Sequence, residues 1–440
     1  MPPKSLLQQV QRAAALLMAG TLAASALGFL KSLLIANYYG TSAGIDAYML
    51  ALAPCRLLIG VLVGTLQASL IPRYLALKEQ RGAEDACAFL ATCAVWMLAF
   101  SAAMFALFYG AARPLARYLG QGFTPPFIEL TADMLKISVM FFALSLLAAL
   151  TKGVLHAQRE FLLVGVAPIL NAVCSIGYVL WYHERGVAAL MESLIVGIGV
   201  ELVLTGAWAR RRLPARIRRL PMLGGEMRGL FRAIWPLLMS SSLANANLFV
   251  DQVMASTLPA GSIAALNYAV KLHGTINQMF IMALSQAILP FFAQCAAERD
   301  WPRMKQTFSL TNRRVCLGLI PLAALIGAFG HQIVAIVFQR GAFTADSTAA
   351  TANAWIMYAF GLPMQAMTIL LARVYNALED NKTLMWVSVV SVLSNVLFNA
   401  LFMRFWGHVG IAASTTVVSL LTCAALFGLL RRKPEWAAHA

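Results

Sequence analysis

LANANLFVDQVMASTLPAGSIAALNYAVKLHGTINQMFIMALSQAILP, from Leu243 to Pro290, decides the fold. It reads as two apolar helices joined by the short turn LPAGS. Each carries ionisable residues at a depth where hydrocarbon is expected, Asp251 on the first and Lys271 with His273 on the second. A charge in the middle of a membrane helix is costly unless it faces a partner or a watery cavity, so these positions are site candidates.

The rest of the chain fits that reading. Of 440 residues, 60% are hydrophobic and 12% charged, more apolar surface than one soluble core can hide, and the apolar runs reach about 20 residues or more. The class is an all-α polytopic membrane protein. Lipid tolerates only helices or closed barrels, and no stretch shows the alternation of a barrel strand. Twelve spans are expected at roughly 13–38, 45–72, 85–111, 129–155, 161–182, 187–208, 231–257, 262–290, 314–338, 349–376, 383–403 and 409–430. The seven cysteines, Cys55, Cys87, Cys93, Cys174, Cys295, Cys316 and Cys423, show no metal or disulfide spacing and read as small core residues.

Met1 to Arg12 is basic and runs into the first apolar stretch without a cleavage site, so it reads as a cytoplasmic tail and not a removed signal. With the amino terminus inside, the inside loops and tails hold about 25 of the 34 basic residues and the outside loops about 5, which puts both termini in the cytoplasm. The densest block, ARRRLPARIRRLP at Ala209 to Pro221, then lies inside. Basic residues confined to short inside loops are a topology signal, so the net charge of +16 does not indicate nucleic acid.

That block separates two six-helix lobes, 1–208 and 231–440, joined by a linker at 209–230. The phrase SLIPRYLALKEQRG (Ser69 to Gly82) resembles QAILPFFAQCAAERD (Gln286 to Asp300) about 218 residues later, the mark of an internal repeat. An even number of crossings per half gives both lobes one orientation, hence a parallel pseudo-two-fold with a central cavity that rocking would open to either side.

In the first half the embedded charges are Lys31, Asp46, Arg56, Asp133, Lys136, Glu192 and Glu201; in the second they are Asp251, Lys271 and His273. Facing one cavity, Lys31, Arg56 and Lys271 would make a positive site for an anionic group. The competing account lets Lys31 and Arg56 snorkel to an interface and pairs Asp251 with a lysine. Asn395 and Asn399 share one helical face and Thr415 follows on the last span. With Asp251 they suit a hard monovalent cation, although Asn and Thr also bond helix to helix. No GxSxG, HExxH or P-loop stretch occurs, and no segment outside the spans exceeds about 25 residues, so an enzyme is not expected.

The phrases LGF (Leu27 to Phe29), YYGTSAGIDAY (Tyr38 to Tyr48), LPAGSIAALNYAVKL (Leu258 to Leu272), FQRGAF (Phe338 to Phe343) and FGLPMQAMTILLARVYNALEDNKT (Phe360 to Thr383) resemble, in order and spacing, the MviN/MurJ family of lipid II flippases. That family lies within the multidrug and oligosaccharidyl-lipid exporter superfamily. The resemblance implies alternating access in the bacterial cytoplasmic membrane, with a cationic cavity that takes the pyrophosphate and sugar head of a polyprenyl-linked glycan. It places family arginines on Lys31 and Lys271, and an acid where Ser32 stands. A further arginine falls on Ser25, one on Leu58 or Ile59 with Arg56 as its substitute, and a glutamate near Val63. The substrate-binding set is therefore Lys31, Arg56, Lys271, Ser25 and Asp46.

The resemblance also places a monovalent-cation site on Asp251, Asn395, Asn399 and Thr415 with the carbonyl of Ile411, Asn399 standing where a carboxylate is expected. Many members carry two further spans that form a groove for the lipid tail. No cofactor is implied beyond sodium or proton coupling; partners are the lipid-linked glycan, the bilayer and cell-envelope glycan polymerases. These departures favour another lipid-linked glycan, such as an exopolysaccharide unit. The rivals are a cation-coupled exporter of small amphiphiles, which would favour an acidic cavity, and a non-transporting scaffold, whose cavity charges would be dispensable.

Overall fold

A computed structural model describes residues 3–212, 225–433 and 436, with side chains from Leu16 onward except at a few helix positions. The tail at Met1 to Arg12 and most of the basic linker, 213–224, fall outside the residues whose side chains are described.

The chain divides by its contacts into two units, Met1–Tyr39 with Ala43–Asn245, and Gly40–Ser42 with Ala246–Ala440. The first contains α1 (Pro3–Tyr39), α2 (Ala43–Arg81), α3 (Ala83–Gly110), a short α4 (Ala112–Leu119), α5 (Pro125–Ala157), α6 (Phe161–Tyr182), α7 (Val187–Arg212) and most of α8 (Gly225–Ala255). The second holds the end of α8, α9 (Ser262–Ile276), a π-helical stretch Asn277–Met282, α10 (Ala283–Glu298), α11 (Trp301–Phe338), α12 (Ala345–Phe360), α13 (Leu362–Ala377) and α14 (Asn381–Arg431). No strand occurs among the described residues.

Every expected span has its helix, and the breaks have local causes. Among the described residues eight helices are long and apolar enough to cross a membrane alone, or up to ten spans if each of two bent pairs, α8 at 44° and α12 with α13 at 46°, counts as one. Pro363 at the start of α13 lacks the N–H that would continue α12, so the line bends there. In α14 Gly407 takes φ 55° and ψ −134°, a conformation closed to most other residues, which splits that helix into the eleventh and twelfth spans. The eighth is α9 and α10, interrupted by the π turn.

The internal repeat is built into the packing. Leu70, Tyr74, Leu77, Ala86 and Leu90 in the core of the first unit stand 218 residues before Ile288, Phe292, Cys295, Met304 and Phe308 in the core of the second. After the third span of each half the spacing becomes 220. Leu150, Val154 and Leu155 match Leu370, Val374 and Tyr375, and the turn Phe123 N to Gly120 O at 3.0 Å matches Phe343 N to Arg340 O at 3.0 Å. Positive φ recurs at equivalent junctions, Arg159 with Glu379 and Gly186 with Gly407. Two folded copies of one six-helix pattern explain these coincidences.

Candidate functional site

In the first unit Lys31 leaves α1 and is held by two hydroxyls. Its Nζ donates to Ser175 Oγ on α6 and, at 2.9 Å, to Ser193 Oγ on α7. Arg56 on α2 is exposed and near enough to act on it as a second positive charge. Ser25 is half-buried on α1 below Lys31, and Asp46 is buried in the first turn of α2, where the helix dipole favours a carboxylate.

The remaining embedded charges of this unit pair locally. Lys136 donates to Asp133 at 2.9 Å on one exposed helix face, and Arg185 and Tyr178 both donate to Glu192, at 2.9 and 2.6 Å. Glu201 on α7, almost fully buried, accepts from Lys152 on α5 at 2.7 Å and from Asn171 on α6 at 2.6 Å. Those three helices are pinned by one carboxylate.

In the second unit the four polar residues read from the sequence converge. Asn399 Nδ2 donates to Asp251 Oδ1 at 2.7 Å and to Asn395 Oδ1 at 3.3 Å. Asn395 and Thr415 also lie within hydrogen-bond reach of the Asp251 carboxylate, and Thr415 Oγ1 donates to the Ile411 carbonyl at 3.2 Å. Asp251, Asn395, Asn399 and Ile411 are all buried. The partner of Asp251 is therefore an amide, where a lysine had been the alternative. Asn399 Oδ1 is buried with no donor.

One carboxylate among neutral oxygens, one of them lacking a donor, fits a hard monovalent cation. Among the described residues no group of three or more His, Cys, Asp and Glu is placed to hold a metal ion, so a transition-metal site is not what this set forms.

The repeat relates the two clusters. At the spacing of 220, Ser175 corresponds to Asn395; at 221, the spacing that matches Gly186 to Gly407, Ser193 corresponds to Ser414, whose Oγ donates to Asn395 O at 3.5 Å. The same three-helix junction is polar in each unit, with an ammonium in one and a carboxylate in the other.

Lys271 is half-buried on α9, and His273 two residues on is buried, its Nε2 paired at 2.8 Å with Gln365 Oε1, which also accepts from Asn277 at 3.1 Å. Asn277 opens the π turn, so the eighth span is distorted two turns beyond Lys271. The sequence reading missed Ser175, Ser193, Asn171 and Gln365. A lone serine or amide in an apolar run has no periodic signature, and only the fold shows what it meets. The seven cysteines are free thiols, mostly buried, as expected.

Comparison with known proteins agrees along nearly the whole chain. The family model described as "Lipid II flippase MurJ" matches residues 35–438. The lipid II flippase MurJ of Burkholderia cenocepacia is 25% identical over 447 residues, covering 94% of this chain and 84% of its own. Among solved structures, a lipid II flippase MurJ in an inward closed conformation superposes with a TM-score of 0.81 at 19% identity, over 96% of this chain and 89% of the other. An inward-facing multidrug resistance MATE family transporter of the MOP superfamily reaches 0.82 at 12% identity, over 95% and 96%. These structural matches show a shared fold.

Proposed function

The chain belongs to the lipid II flippase MurJ family, and we propose that it moves lipid II, or a related polyprenyl-pyrophosphate-linked saccharide, from the inner to the outer leaflet by alternating access. The observation that carries this reading is the family match over residues 35–438. Features within each unit support it: in the first, Arg56 acts on Lys31 as a second positive charge, and in the second Lys271 lies on α9 ahead of the π turn. Two of the three N–H donors of Lys31 go to serines, leaving one for a pyrophosphate oxygen, while exposed Arg56 offers the bidentate fork. Ser25 and Asp46 complete the substrate set. The protein is a transporter, with lobes at 1–208 and 231–440 joined by 209–230, and sits in the bacterial cytoplasmic membrane with both termini inside.

Asp251, Asn395, Asn399 and Thr415 with the Ile411 carbonyl would hold a monovalent cation. Bound there, it would supply a positive charge that fastens α8 to both arms of α14. Substrate recognition stays with the basic residues.

Depletion of a host's own lipid II flippase, with this protein expressed in its place, tests the reading. Restored exposure of lipid II on the outer leaflet that disappears in Lys271→Ala supports it. Failure to restore, with the protein shown to be in the membrane, excludes lipid II and leaves another lipid-linked glycan as the substrate.

A further inference from the structure

We propose that the two arms of α14 hold a phospholipid with an anionic headgroup, one acyl chain lying in the cleft between them and the phosphate resting on Lys382 and Arg432. Such a site goes beyond the transport reading and stands without it. The cleft encloses about 280 Å³. Trp386, Val390 and Ser394 line it from the arm before Gly407, and Val418, Ala425 and Leu429 from the arm after it. From Trp386 to Ser394 the helix rises about 12 Å, so the section is that of one hydrocarbon chain and far too narrow for a helix of about 10 Å. Trp386, Val390, Leu421 and Leu429 are exposed, which in a membrane span means exposed to lipid.

The repeat accounts for the opening. In the first unit Glu201 accepts from Lys152 at 2.7 Å and from Asn171 at 2.6 Å, which draws α5, α6 and α7 together. Gly197 lets α6 and α7 close further, since a Cβ there would lie 2.3 Å from Asn171 Oδ1. At a spacing of 220 Lys152 and Asn171 become Ala372 and Ser391, and at 221 Glu201 and Gly197 become Thr422 and Val418. The short side chains cannot bridge the helices, and a buried valine stands where the glycine allowed close approach. Ser391, Thr422 and Val418 all line the cleft. Apolar walls with nothing against them forfeit dispersion contacts, which a lipid chain restores.

The charges at the mouth select the headgroup. Lys382 stands four residues before Trp386 and eight before Val390, and Arg432 three after Leu429 and seven after Ala425, so each lining stripe ends in an exposed basic residue. Glu379 and Asp380 are outnumbered at that end by Lys382, Arg431, Arg432 and Lys433, and Asp380 is already paired with Lys433 at 2.6 Å. Where Lys382 stands, the first unit carries exposed Leu162. On the orientation proposed above these ends face the inner leaflet, where each basic residue near the surface strengthens binding of an anionic lipid about fivefold. A lipid held there fastens the arms of α14 as Glu201 fastens α5, α6 and α7.

Native mass spectrometry of the purified full-length protein tests this, with phosphatidylglycerol titrated against phosphatidylcholine of the same acyl chains. Wild type is expected to retain one phosphatidylglycerol at least about tenfold more tightly than phosphatidylcholine. Lys382→Gln with Arg432→Gln should remove that preference. Ala425→Phe, at an exposed position where a ring fills the cleft, should lose the tight site. The glutamine variants lie at exposed helix positions and decide the matter if Ala425→Phe does not fold. Equal affinity of wild type for the two lipids would overturn the headgroup assignment, and wild-type retention in Ala425→Phe would overturn the cleft. A polyprenyl phosphate displacing phosphatidylglycerol at equal concentration would give the cleft to an isoprenoid chain and overturn the phospholipid.

Discussion

Lys31 Nζ donates to Ser193 Oγ at 2.9 Å across 162 residues of sequence, and through Ser175 the same ammonium also ties α1 to α6. Removing it takes away the proposed pyrophosphate donor together with the fastening of three helices. Lys31→Ala should abolish translocation while insertion persists. Ser193→Ala should lower it about tenfold, the order expected for one hydrogen bond to a charge. Assay of outer-leaflet lipid II decides it, and undiminished transport in Lys31→Ala would take this residue out of the site.

The helical membrane class and the polar set of Asp251, Asn395, Asn399 and Thr415 were legible because charges are rare in apolar spans and a spacing of four marks one helix face. The link between the two clusters was not. The repeat is visible in sequence at Pro72 and Pro290, a spacing of 218, which carries Lys31 onto Phe249. Only the paired turns and cores show the spacing of 220 after the third span of each half, which carries Ser175 onto Asn395. The break at Gly407 was legible as a short loop between spans, and the arms do fold back there, Ser414 Oγ lying 3.5 Å from Asn395 O.

At the start of α14, Asp380 caps the helix, accepting from Thr383 N at 3.0 Å, and pairs with Lys433 at 2.6 Å. Partial burial alone would raise this carboxyl, but Lys433 and Thr383 outweigh it and hold the pKa down to about 2. A depressed pKa contributes stability that is present above the unfolded value near 3.9 and lost as pH falls toward 2, about 2 kcal/mol in all. Melting from pH 6 downward should show wild type losing its advantage over Asp380→Asn below about pH 4. Parallel curves would show that the pair adds nothing.

Gly261 ends the turn before α9 with φ 92°, and a Cβ there would lie 2.5 Å from Thr41 O. The same Gly40–Ser42 segment receives the Tyr268 hydroxyl at Gly40 O, 3.1 Å away, so this contact sets where α9 and Lys271 begin. Gly261→Ala combines left-handed strain with a backbone clash and should cost about 2–3 kcal/mol. A melting midpoint equal to wild type would show that the turn can move aside.

Glu201 separates a structural charge from a transporting one. It is almost completely buried between Lys152 and Asn171, and its oxygens accept from both at under 3 Å. Removing one member of a buried pair strands the other, so Glu201→Gln should destabilise by about 3 kcal/mol, while an apolar replacement of both Glu201 and Lys152 should recover most of that. If the pair is structural, the double variant Glu201→Leu with Lys152→Met regains lipid II exposure together with its melting point. If it regains stability but not transport, one of these charges acts in the cycle, and the substrate set built on Lys31, Arg56 and Lys271 would have to be extended along α5 and α7.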